Sequence, residues 1–176
     1  MWKQSSKKNS TKEKFTSAQQ AYDCALNLLS YRDYSDKKML ERLQQKGADE
    51  EQAKESIAKL QHYGLLDEHR YAGRIYEAWL AKRYYGRQHL QAELAKRGVR
   101  TEYIAEIMER FTPEMEAEQA ENAAELFLQR NRKKIAEIQG FDKKIYAAAG
   151  RFMAARGFSS RYMHVLLEKL HFDNDM

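Results

Sequence analysis

One pattern constrains this chain more than any other. A helix-like run, a glycine and a second helix-like run recur three times. KMLERLQQKGADEEQAKESIAKL (38–60) matches HLQAELAKRGVRTEYIAEIMERF (89–111) at an offset of 51 residues, so that Leu43 meets Leu94, Gly47 meets Gly98, Ile57 meets Met108 and Leu60 meets Phe111. A third copy, AAAGRFMAARGFSSRYMHVLLEKL (147–170), follows at a further 59 and aligns Met153, Gly157, Phe158, Met163, Leu167 and Leu170 with Leu94, Gly98, Val99, Ile104, Met108 and Phe111. Self-similarity at such a period is the mark of a repeat architecture, in which each unit is one supersecondary element.

A longer helix precedes each pair. Its apolar stripe is Ala21, Cys24, Ala25 and Leu28 in the first copy, Ala72, Ile75, Tyr76 and Trp79 in the second, and Ala120, Ala123, Ala124 and Phe127 in the third. The common i, i+3, i+4, i+7 spacing gives one packed helix face. The unit is therefore three helices. The glycine supplies the left-handed residue that closes the second helix, and Asp49, Thr101 or Ser159 is placed to cap the third. The sequence predicts an all-α fold of three tandem three-helix repeats, elongated and curved, over 15–65, 66–111 and 112–176. The third copy carries about eleven extra residues near RNRKKIAEIQGF, the difference between the offsets of 59 and 48. Residues 1–14, with five lysines and one glutamate, have too little apolar content to offset ordering and read as a disordered basic tail.

The stretch GLLDEHRYA (64–72) joins the first two units. Gly64 ends one helix, Leu65 and Leu66 are expected to pack at the junction, Asp67 caps the next helix, and Glu68 suits its positive end. The acidic pair is expected to be structural.

Catalytic patterns are missing from the sequence. The five histidines show no H-x-x-x-H spacing, and the lone Cys24 lies in an apolar stripe, which suits a small buried hydrophobe. Neither G-x-x-x-x-G-K nor G-x-G-x-x-G occurs. No apolar run approaches the roughly 20 residues needed to cross a bilayer, and a single cysteine suits a reducing, cytoplasmic setting. A binding protein without cofactor or metal is the expectation, as a monomer and away from membranes.

The net charge of +5 hides strong segregation. From Arg70 to Arg100, eight basic residues face only Glu77 and Glu93; from Arg130 to Arg161, nine face only Glu137 and Asp142. Such patches suit a polyanion. Tyr84 and Tyr85, beside Lys82 and Arg83, could stack on bases as single-strand binders do or pack at a junction. The candidate binding residues are Arg70, Arg74, Lys82 and Arg87 in the second unit and Lys133, Lys134, Lys143, Lys144, Arg151 and Arg156 in the third. On a helical wheel Arg83 falls with Ala72, Ile75 and Trp79, so it is expected to brace the helix end.

Four segments in order resemble the RecX regulatory proteins: ALNLLSYRDYSDKKMLERLQQKG (25–47), GLLDEHRYA (64–72), YGRQHLQAELAKRGV (85–99) and KKIYAAAGRFMAARGF (143–158). Together they span about 18–170. Tyr31 and Lys38 depart from the family pattern. The resemblance implies three tandem three-helix repeats and binding to the RecA recombinase, above all its filament on single-stranded DNA, with weaker duplex binding. It implies modulation, usually inhibition, of DNA pairing, ATP hydrolysis and repressor cleavage, and so a part in the SOS response and DNA repair. A helical DNA-binding or transcription-regulating module acting without RecA is the alternative.

Overall fold

In the computed structural model, residues 14–137 and 142–172 are described, the last three of them by backbone alone. Among them there are nine α-helices and no strand. The helices fall in threes: α1 (Ala18–Tyr31), α2 (Asp36–Lys46) and α3 (Glu50–His62); α4 (Glu68–Leu80), α5 (Arg87–Lys96) and α6 (Thr101–Arg110); α7 (Pro113–Ala136), α8 (Lys143–Ala155) and α9 (Met163–Phe172), with a 3-10 turn at Ser160–Tyr162 leading into α9. The basic tail foreseen at 1–14 lies, apart from Lys14, outside the described residues, as does the side chain of Leu170.

Each triplet has its own core, and the repeat offsets predict its members. Ala21, Ala25, Leu43 and Leu60 are fully buried in the first. Ala72, Leu94 and Phe111 occupy the same places in the second, and Ala120, Ala124 and Met153 in the third. The glycines Gly47, Gly98 and Gly157 all have positive φ, at 119°, 77° and 79°. That is the region a side chain disfavours, and it closes the second helix of each triplet.

Local chemistry sets the helix starts. Asp49 accepts from the Gln52 N–H while Gln52 bonds back to Asp49, a complete capping box. Ser17, Ser35 and Thr112 cap α1, α2 and α7 by accepting the N–H three residues on, without the return bond, the last with Pro113 at the first helical position. Two expected caps differ. Thr101 is the first residue of α6, behind Arg100, and Ser159 makes no side-chain cap bond.

The chain divides into two compact units, Met1–Glu68 and His69–Met176. In the first, α3 ends at Gly64 (φ 64°), and Leu65 and Leu66 both donate N–H to the Leu60 carbonyl. Leu66 is buried in the first core, but Leu65 is 46 % exposed, so only one of the two leucines packs. Glu68 is 4 % exposed and accepts the Asp36 N–H at 3.3 Å, at the start of α2. The acid expected to serve its own helix also serves the open N–H groups of another.

The second unit holds the other two triplets, and two of the contacts that join them are decisive. The first is backbone on backbone. Gly86 donates its N–H to the Arg156 carbonyl at 2.9 Å, and Gln88 to the Gly157 carbonyl at 3.1 Å. A Cβ on Gly86 would sit 2.6 Å from the Gly157 oxygen, and one on Gly157 would collide with the His89 backbone. The second is Glu116, 2 % exposed. It accepts the Arg87 N–H at 2.8 Å, Arg161 Nη2 at 3.1 Å and the Tyr162 hydroxyl at 3.2 Å. Glu68 and Glu116 stand 48 residues apart, the offset between the second and third first helices, and their targets Asp36 and Arg87 stand 51 apart. One device is used twice: a buried carboxylate at the head of a triplet's first helix satisfies the first turn of an earlier second helix.

The extra residues of the third copy also find a place. α7 is 24 residues long against 14 and 13 for α1 and α4, so most of the insertion is helix; residues 138–141 lie outside the described residues.

Two stability outcomes follow. Gly157→Ala must strain the backbone and push away His89, so in urea unfolding it should lose clearly more than Gly64→Ala, whose added methyl meets nothing within 4 Å and whose cost is the left-handed strain of about 1–2 kcal/mol alone. Glu116→Ala leaves the Arg87 N–H and the Tyr162 hydroxyl without their acceptor and should cost about 1–3 kcal/mol for each such group that stays out of water, with Glu116→Gln recovering part because it still accepts the Arg87 N–H.

Candidate functional site

The loop from Ala81 to Gly86 carries the densest mixture of cations and aromatics in the second unit. α4 stops at Leu80 rather than running on through Arg83. Lys82 and Arg83 donate N–H to the Trp79 and Leu80 carbonyls at 3.1 and 3.2 Å. Arg83 holds φ 62°, the sole non-glycine residue with positive φ among the described residues. The wheel that placed Arg83 on the apolar face thus continued a helix past its end. Arg83 is exposed, and its backbone, not its side chain, terminates α4.

Tyr85 is the centre of this region. Its ring lies 4.1 Å from the His89 ring, and Lys82 Nζ stands 5.7 Å from its centroid. On the third triplet Arg156, half-buried, lays its guanidinium 3.5 Å over the Phe152 ring and donates to the Phe152 carbonyl at 3.4 Å. Its Nε is buried without a hydrogen-bond partner. Burial presses the Arg156 pKa below the ordinary arginine value; Tyr85 pulls the other way and the nearby Arg130 charge adds to the lowering. The arginine still stays charged near neutrality. Lys82 thus lies by Tyr85 and Arg156 by Phe152, with the Arg130 charge near enough to act on Arg156, and none of the three forms an ion pair with another described residue. Glu93 lies near Lys82 and is itself paired with Arg97; cations not tied in ion pairs raise the local potential and suit a bound anion.

The other sequence candidates sit as follows. Arg70 and Arg74 are exposed on α4, and each has an interaction partner. Lys133 and Lys134 are exposed on the last turn of α7, and Arg151 on α8. Lys143 and Lys144 open α8 with no acid in that turn, a place where the helix dipole disfavours cations. Arg87 is engaged within the fold. Its guanidinium donates to the Met108 carbonyl at 2.8 Å and to the Phe111 carbonyl, and its Nε lies 3.7 Å from Glu116. It closes the C-terminal end of α6, a structural task the sequence reading did not assign to it. Arg161 is likewise taken by Glu116 and Tyr162. Sequence reasoning passed over Glu116 because it lies 45 residues from Arg161 and outside the basic stretch; its equivalence to Glu68 was the available signal.

Similarity to known proteins points the same way. Residues 21–60 match the model of "RecX, first three-helix domain". The chain is 32 % identical over 163 residues to regulatory protein RecX of Trichlorobacter lovleyi, covering 88 % of this chain and 99 % of that protein. The chain belongs to the RecX family. It is also 32 % identical over 134 residues to regulatory protein RecX of Stenotrophomonas maltophilia, covering 76 % of this chain and 77 % of the relative. The crystal structure of RecX from Lactobacillus salivarius shares the fold with a TM-score of 0.72 at 19 % identity, covering 88 % of this chain and 97 % of that one. These RecX relatives are named as regulatory proteins. No helix among the described residues of this RecX-family chain is long and apolar enough to cross a membrane.

The aromatic cluster has a titratable member. Trp79 Nε1 donates to His89 Nδ1 at 2.9 Å, which requires that nitrogen to be unprotonated. Burial holds the His89 pKa below its ordinary 6.5, with Glu93 raising it and Lys82 lowering it. The unfolded chain therefore takes up a proton at higher pH than the folded one, and stability is lost as pH falls below about 6.5. Denaturant unfolding at pH 7.5 and 5.5 should show a larger loss for the parent than for His89→Asn, whose Oδ1 can accept from Trp79 without titrating.

Proposed function

We propose that the protein binds the RecA recombinase filament on single-stranded DNA and lowers its activity, acting by binding rather than by catalysis. The observation that carries this reading is Lys82 beside Tyr85 and Arg156 over Phe152, neither in an ion pair with another described residue and with the Arg130 charge near Arg156, in a chain of the RecX family. Cations beside aromatic rings suit a single strand, whose phosphates meet the charges and whose bases meet the rings. The strained backbone of Arg83 in the same loop fits a functional role, since such strain concentrates at binding sites. Arg70, Arg74, Lys143, Lys144 and Arg151 are proposed as flanking contacts to recombinase or DNA, and exposed acids on α6 and α7 as partners for basic recombinase surface. A DNA-reading module independent of RecA would instead bind duplex with sequence preference.

The experiment measures single-strand-dependent ATP hydrolysis by RecA. Substoichiometric protein should slow it, and Lys82→Glu with Arg130→Glu, both exposed positions, should restore much of the rate. The salt slope of binding should shrink by about 1.4, two single-strand phosphate contacts at ~0.7 each. No slowing at equimolar protein overturns the reading; equal slopes for parent and variant overturn the residue assignment.

A further inference from the structure

The final turns of α7 are unlike the ends of the other first helices. The buried residues of α7 stop at Phe127, while the helix continues to Ala136, about 13 Å further at 1.5 Å per residue. On this extension Arg130, Arg132, Lys133 and Lys134 are exposed, and none is in an ion pair with another described residue. The acids of α7 end at Glu125, and the next, Glu137, lies beyond the helix. Each residue turns the helix by about 100°, so the four cations cover three sides. The remaining side holds Asn131 and Ile135, both half-buried, with Asn131 Nδ2 bonded to the Phe127 carbonyl at 2.8 Å.

The helix dipole accounts for Lys133 and Lys134 in the last turn. It does not account for Arg130 and Arg132 before them, neither of which has an acid three or four residues away, whereas Lys133 has Glu137. A cationic face toward solvent would need one side of the helix. Charge on three sides can meet an anion on more than one side at once.

We infer that the end of α7 is a cationic arm that seats in the major groove of duplex DNA. That groove is about 12 Å wide and admits a helix, with a phosphate backbone along each wall. A single strand offers one backbone and meets one side. The A-form major groove of duplex RNA is too narrow for it. The contacts are to phosphates and carry no base sequence. The inference stands apart from the recombinase reading, because it concerns free duplex and, in Arg132, Lys133 and Lys134, side chains that reading does not use.

The test uses the full chain with 20-base-pair duplex DNA, a 20-nucleotide single strand and 20-base-pair duplex RNA, by fluorescence anisotropy from 50 to 200 mM salt. The variant is Arg132→Gln/Lys133→Gln/Lys134→Gln, all exposed and replaced by a good helix former; circular dichroism checks that helix content is kept. The duplex DNA salt slope should fall by about 2.7, three contacts at ~0.9 each. Single-strand affinity should stay within about twofold, and the parent should prefer duplex DNA to duplex RNA. An unchanged duplex slope, an equal loss on single strand and duplex, or no preference for DNA over RNA overturns the arm. Those results leave RecA inhibition untouched, just as failure to inhibit RecA leaves the duplex result standing.

Discussion

A carboxylate shut away from water must be satisfied by its neighbours or it costs several kcal/mol. Glu116 is satisfied by a main-chain N–H, a guanidinium and a hydroxyl drawn from the second and third triplets. This makes one small set of bonds responsible for several placements. Arg87 is held at the start of α5, from which it reaches the last carbonyls of α6. Tyr162 is fixed in the turn before α9. The Gly86–Gly157 contact then brings the two backbones within hydrogen-bonding distance on the same junction. The proximity of Tyr85 and Arg156 follows from that contact, since each is the immediate neighbour of one of the two glycines. The candidate site is therefore a by-product of the way the triplets dock, and its precision depends on a glycine pair that leaves no room for a methyl group.

The repeat was readable from sequence because its signals are local and periodic. Leu43, Leu94 and Met153 sit in equivalent places in three cores, and the three closing glycines share positive φ. Offsets alone carry that information. The acids at 68 and 116 were visible too, but a nearer explanation covered them, since an acid at a helix start suits its dipole. Their second role is a bond across 32 residues in one case and 29 in the other. No window along the chain contains both partners.

The same limit explains what was missed at the site. A count of charges between Arg130 and Arg161 leaves out Glu116, which closes on Arg161 from outside the window. Arg87 carries a formal charge like its neighbours, yet the open carbonyls at the end of α6 claim it, and those carbonyls exist only once α6 has ended. Arg83 was assigned by extending the periodicity of α4 three residues too far. Leu65 was assigned to a junction by its hydrophobicity, whereas the chain reversal after Gly64 buries Leu66 and turns Leu65 outward. Each miss is a case of tertiary geometry overriding a sound local preference.

Separating cations by what they already hold gives the surface a finer meaning than net charge does. Arg87, Arg97, Arg110 and Arg161 pair with Glu116, Glu93, Glu77 and Glu116 respectively. Their charge is partly neutralised, and their side chains are bound to the fold. Lys82, Arg130 and Arg156 are not so held, and neither are the cations at the end of α7. A polymeric anion gains most from such groups, because it does not first have to break an internal pair. The unpaired set also divides by surroundings. Lys82 and Arg156 lie against aromatic rings, while Arg130, Arg132, Lys133 and Lys134 stand around a helix end. Rings favour exposed bases, while a helix end charged on several sides favours two phosphate walls, and these are the physical grounds on which the two proposed surfaces differ.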